Sequence, residues 1–252
     1  MNKIVAIHQP NYFPWIGYFF KIYVADEFVF LNNIKHSKKY PTRRTFVPVT
    51  KEYLDKKYLT IPLQKHSDFT VIHQLKIDNS KSWRASHVNY LLHTYARTPQ
   101  FRVVFPLIKS WFREQRTEEN LSVFNQNIIL NICKYLNINK KFESDLNLDL
   151  DNNLGDINLS ICKKLGATHY LSGQGGLNYQ DEHQFLENNI QLLTFDIRSY
   201  MDNLRPFRQQ KSTSFMNGLS IIDILMYLSA DEICQLLENA KSSFYQNLEV
   251  IE

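Results

Sequence analysis

The stretch His8-Gln9-Pro10-Asn11-Tyr12 sets an imidazole, two amides and a phenol on chain that Pro10 and Pro14 keep out of regular structure, with Trp15 close behind. A histidine held there can contact a phosphate or exchange a proton near neutral pH. Capping of loop backbone is its plainer use. A second cluster, Lys35-His36-Ser37-Lys38-Lys39 with Arg43 and Arg44, has no acid among its residues. Arg forks grip phosphate oxygens in pairs and Lys38 adds a point charge, although an exposed basic loop would look the same. The third is Ser172-Gly173-Gln174-Gly175-Gly176-Leu177-Asn178-Tyr179, which holds three of the chain's seven glycines in four positions. Glycines at a helix start let backbone N–H groups approach an anion. The pattern is neither a Walker loop nor a dinucleotide fingerprint, and a tight turn would also use it. Asp181 and Glu182 follow as candidate carboxylates, at positions ordinary for a helix start.

The elements around these clusters must bring them together. Lys3 to Ile7 reads as a buried strand leading into the His8 loop. Trp15, Tyr18, Phe19, Ile22 and Tyr23 recur at helical spacing after Pro14, and Phe28 to Leu31 is a second strand. Further strands are expected at 45–49, 58–63, 71–77, 168–171 and 191–195. Helices are expected at 80–96, 106–112, 121–136, 152–165, 180–188, 220–228 and 231–238. Gly166 suits a C-cap, and Ser229 with Glu232 resembles a capping box. The fold class is α/β: an open, mostly parallel sheet with flanking helices, in one domain over 1–252, with a helical segment at about 80–165 inserted or packed on it.

Composition narrows the classes. With 252 residues and 44% hydrophobic content the chain can bury a core. No apolar run reaches the length of a membrane helix, and the N-terminal residues lack a secretory signal, so a cytoplasmic location is expected. Cys133, Cys162 and Cys234 are too scattered for a disulfide framework or zinc knot, and no metal site is expected. The net charge of +4 is too mild to imply nucleic acid. Aromatic residues make up 13%, and nine of them lie between Tyr12 and Phe30. Some must be core. The others would serve a cleft in which the His8 loop faces the glycine loop.

Four stretches carry a family resemblance: IHQPNYFPWIGYFFKIYVADEFVF, WRASHVNYLLHTYARTPQF, YLSGQGGLNYQDEHQF and LSIIDILMYLS. In this order, across nearly the whole chain, they resemble the WbqC-like protein family of bacterial O-antigen and surface-polysaccharide biosynthesis. Gln174 stands where a Pro is frequent, and NIKHSKKY replaces a VQF form. The resemblance implies modification of a nucleotide-linked sugar by attaching an acyl group such as glycyl to a 4-amino-4,6-dideoxy sugar. A strand, a His-Pro loop and a helix are also similar to the HIGH-motif nucleotide-binding architecture, by analogy only, because no HIGH tetrapeptide is present.

The expected function is therefore a transferase acting on a dTDP-linked amino sugar. His8 and Asp181 would be catalytic. Gln9, Asn11, Tyr12, Trp15, Lys38, Arg43, Arg44, Ser172, Gly173, Gln174, Gly175, Gly176, Asn178 and Tyr179 would hold substrate and phosphate. No tightly bound cofactor is expected, and ATP with Mg2+ enters only under the alternative of an amide ligase working through an acyl adenylate. A non-catalytic component of polysaccharide assembly is the third reading. Expected partners are the nucleotide sugar, an acyl donor (aminoacyl-tRNA among the options), other polysaccharide-biosynthesis enzymes and a second copy of the chain.

Overall fold

The computed structural model describes residues 2–37, 41–49, 55–150, 155–173, 180–195 and 218–249. Its centre is strand β1 (Ile4–His8), every residue of which but His8 is buried. β1 leads through α1 (Ile16–Val24) to β2 (Glu27–Phe30). An antiparallel ribbon follows, β3 (Arg44–Pro48) with β4 (Lys56–Thr60). Next come α2 (Trp83–Tyr95), α3 (Phe101–Glu114) and α4 (Leu121–Tyr135). The chain then returns to the sheet with β5 (Lys141–Ser144), α5 (Ile157–Lys164), β6 (His169–Ser172), α6 (Glu182–Glu187) and β7 (Gln191–Thr194). It closes with α7 (Ile221–Tyr227) and α8 (Ala230–Glu249). Among the described residues no helix is long and apolar enough to cross a membrane.

The five-stranded sheet has the order β5-β2-β1-β6-β7, and all its ladders are parallel. This is the expected α/β class. Strand alternation divides the core. Ile4, Ala6, Phe28 and Phe30 face one cluster with α1, whereas Val5, Ile7, Val29 and Leu31 face a second with α5 and Phe185 of α6. Both faces are covered, which is why β1 and β2 are nearly continuous apolar runs. Most of the aromatic residues between Tyr12 and Phe30 are core: Tyr12, Phe13, Tyr18, Phe19, Phe20, Phe28 and Phe30 are each no more than 2% exposed.

Three local expectations are corrected. Residues 71–77 form a 3-10 turn (Ile72–Gln74) and isolated bridges rather than a strand. Ile72, Leu75 and Ile77 are buried, and the spacing of three between Ile72 and Leu75 fits a 3-10 turn. α3 starts at Phe101, before Pro106. Pro106 and Arg102 are both exposed, so the Arg102 carbonyl that loses its helical partner stays open to water. The edge strand β5 falls where a helical segment is expected. Its KFES is half-exposed and lacks an apolar run, yet it pairs with β2, Phe142 stacking on Phe30 at 5.8 Å. Two end signals do hold. Gly166 takes φ +64, and Ser229 and Glu232 exchange capping bonds.

Candidate functional site

In this strand order the chain steps from β1 to β2 and β5 on one side, and to β6 and β7 on the other. The crossover direction reverses between β1 and β6, and open α/β sheets bind ligands outside the carboxyl ends of such a pair. His8 ends β1 and Ser172 ends β6. The β1–β6 register runs Ile4↔His169, Val5↔Tyr170 and Ala6↔Leu171, so Ser172 comes level with Ile7. The starts of the His8 loop and the glycine-rich loop are therefore neighbours.

The His8 loop is fixed from below. Phe13 is buried at φ +39, a costly conformation for a bulky residue. Its carbonyl accepts from the hydroxyls of Thr45 (2.8 Å) and Ser220 (2.9 Å). Asn125 Nδ2 donates to the carbonyls of Pro10 (2.8 Å) and Thr42 (2.6 Å). Thr42 Oγ1 donates to Gln9 Oε1 at 3.1 Å, and the Tyr18 hydroxyl donates to the Gln9 carbonyl at 3.0 Å. These anchors come from the ribbon, α4, α7 and α1, so the loop is over-determined by tertiary contacts.

Not every loop residue faces a ligand. Tyr12 is 1% exposed among Phe13, Trp83 and Phe124, and its hydroxyl donates to His87 Nδ1 at 2.8 Å. It is core support, packed among rings, rather than the exposed substrate-holding side chain expected. His87 is the buried partner that the sequence reading passed over. Burial lowers its pKa to about 4, the bond to the Thr60 backbone acting the other way. Asn11 is 3% exposed, and its Oδ1 has no hydrogen-bond partner. Trp15 is 36% exposed at the N-cap of α1, and its ring lies over Gly17, where a Cβ would stand 2.6 Å from it. Gly17 is thus glycine because an indole occupies the space of a side chain.

His8 lies edge-on to the Tyr18 ring (4.8 Å between centroids), with Nδ1 3.1 Å from the Gln9 carbonyl. A carbonyl only accepts, so Nδ1 carries the hydrogen and Nε2 keeps its lone pair. Burial, then the charge of Lys21, lower the His8 pKa to about 3, the Gln9 carbonyl acting the other way. At neutral pH His8 is an uncharged acceptor. Lys21 was not singled out from the sequence, although a signal existed: it is the one charged residue of the helix IGYFFKIYV. It is 7% exposed, its Nζ donates to the Ile7 carbonyl at 2.9 Å, and burial lowers its pKa to about 7.

A groove of about 500 Å3 opens beside the ends of β1 and β2, lined in part by Gln9, Lys35, Asp156, Asn158 and Asp181. α5 and α6 both start here. Asp156 accepts from the backbone N–H groups of Asn158 (2.7 Å) and Leu159 (3.2 Å), and Asp181 from that of His183 (3.1 Å). Asp181 is thus both a cap and a groove carboxylate. A larger hollow of about 700 Å3 runs along the edge strand β7, away from the switch point.

The remaining predicted residues divide. Ser172 is buried, and its hydroxyl donates to Gln180 Oε1 at 2.7 Å, tying together the two ends of the glycine-rich stretch. Among the described residues other than its chain neighbours, no atom lies within 4 Å of where a Cβ would stand on Gly173. Arg43 lies in the 3-10 turn that holds Thr42 against Gln9. The Arg44 guanidinium, expected to grip phosphate, lies over the Tyr58 ring of the ribbon, 4.1 Å from its centroid. Lys38, Gln174, Gly175, Gly176, Asn178 and Tyr179 lie outside the described residues. Among the described residues no three His, Cys, Asp or Glu side chains gather as a metal site.

The sequence model of the WbqC-like protein family matches residues 9–235. The chain is also 29% identical over 231 residues to "Uncharacterized protein Rv1507c" of Mycobacterium tuberculosis, covering 91% of this chain and 95% of that one. No solved structure matches it.

Proposed function

The chain belongs to the WbqC-like protein family, and from that premise we propose that it is a transferase that N-acylates a nucleotide-linked amino sugar for surface-polysaccharide synthesis. The observation that carries this reading is the meeting of the His8 loop and the start of the glycine-rich loop at the β1–β6 switch point, with Gln9 of the first loop lining a groove that Asp156 and Asp181 also line. Carboxylates suit an amine. They would hold its ammonium form, and Asp181 would take one proton from it, freeing the nitrogen lone pair to attack the acyl carbonyl carbon; the second N–H proton would leave with the donor's departing group. Uncharged His8, through Nε2, would accept a hydrogen bond from the amine N–H and so aim the nitrogen lone pair. Exposed Trp15 would supply the aromatic surface for base or sugar.

Calorimetric titration with dTDP- and UDP-linked 4-amino sugars tests the reading. Binding of an amino sugar nucleotide, weakened in the Asp181→Asn variant, is the expected result. Failure of every such compound to bind would sink it. Release of pyrophosphate dependent on ATP and a carboxylic acid would instead assign an amide ligase.

A further inference from the structure

Lys21 reaches the switch point from α1, on the face opposite α5. In β1 the carbonyl of Lys3 accepts from Thr168 and His169 on the β6 side, whereas those of Ile4 and His8 accept from Asp26 and Leu31 on the β2 side. By this alternation the Ile7 carbonyl faces β6. Ile7 stands one residue past Ala6↔Leu171, the last register pair of β1 with β6. The Lys21 ammonium, bonded to that carbonyl, therefore occupies the split where the two strands part.

The fold itself has no use for this charge. An ammonium has three N–H donors, and the Ile7 carbonyl takes one. Among the described residues no carboxylate pairs with Lys21. Desolvating an unpaired cation costs several kcal/mol, and an apolar side chain of similar volume would pack without that cost. Burial holds the amine at a pKa of about 7, so an arriving anion would also restore its full charge.

We propose that Lys21 is the counter-charge for a phosphate group of the ligand, received in the split between β1 and β6. The proposal rests on the nucleotide-linked substrate of the preceding section. Charge is then divided along one ligand: the amine meets the groove carboxylates, and the phosphate meets the ammonium.

The experiment is calorimetric titration of the full-length protein with inorganic pyrophosphate, with dTDP and with acetate, comparing wild type with Lys21→Met and Lys21→Gln. Circular dichroism reports whether each variant is folded. Wild type is expected to bind pyrophosphate and dTDP. Both variants are expected to bind them about 10- to 100-fold more weakly, the loss of one charged hydrogen-bonded contact. If Met at this position fails to fold, Gln, which keeps a donor for Ile7, carries the comparison. Unchanged pyrophosphate affinity in a folded variant would overturn the proposal, as would failure of wild type to bind pyrophosphate. Acetate binding that depends on Lys21 as strongly as pyrophosphate binding does would move the site to carboxylates and also overturn it. Lys21-dependent pyrophosphate binding without any nucleotide-sugar binding would support the phosphate site while sinking the substrate reading.

Discussion

Replacing Lys21 by Met should alter how stability depends on pH, and the size of the change follows from burial. The folded amine has a pKa of about 7 against a usual 10.5. That fall corresponds to about 5 kcal/mol of stability forgone while the unfolded chain keeps its proton. Between these values the unfolded state binds more protons than the folded one, so stability rises with pH. From pH 7 to 9.5 the wild type should gain about 3 kcal/mol relative to Lys21→Met, which has no such group. The neighbouring titratable groups do not interfere. His8 is already neutral, and burial pushes the Tyr18 hydroxyl and the Cys162 thiol upward. The assay is urea unfolding of both proteins at pH 7, 8 and 9.5, followed by far-ultraviolet circular dichroism. A stability difference that stays constant over this range would mean that the amine titrates as in water, and the argument for a buried unpaired cation would fail.

Three further outcomes are expected. The His8 imidazole should remain neutral as pH falls from 8 to 5, because its folded pKa is about 3. Its stabilising effect is complete above the unfolded value of 6.5 and is lost as pH falls from there towards 3, and nuclear magnetic resonance of the ring protons would expose a normal titration if this were wrong. Asn125→Leu removes the donor to the Pro10 and Thr42 carbonyls. It should cost about 2–4 kcal/mol in denaturant unfolding, and a cost below about 1 kcal/mol would show that water replaces the amide. Gly17→Ala places a methyl against the Trp15 ring. The exposed indole should swing aside, changing tryptophan fluorescence while stability moves by no more than about 1 kcal/mol, and an unchanged spectrum would refute the close contact.

What was legible in the sequence was local. The apolar runs of β1 and β2 declare strands buried on both faces, and Pro10 and Pro14 declare a loop between strand and helix. The Gly166 and Ser229 signals work because capping involves residues only a few positions apart. β5 was hidden because an edge strand needs no apolar run, and the 3-10 turn at Ile72–Gln74 because its spacing passes for alternation.

The sequence by itself determined that a histidine loop and a glycine-rich loop each follow a strand of an α/β sheet. It could not determine that those strands are neighbours, since β1 and β6 pair across more than half of the chain. Nor could residue type tell Tyr12, sealed against His87, from Trp15, open to solvent. Which ring is core depends on what α2 and α4 bring to it. The same holds for Lys21. The sequence marks it as one charge in an apolar helix, whereas the tertiary structure decides its surroundings, because only the parting of β1 from β6 leaves this buried cation on a backbone carbonyl with no carboxylate beside it among the described residues.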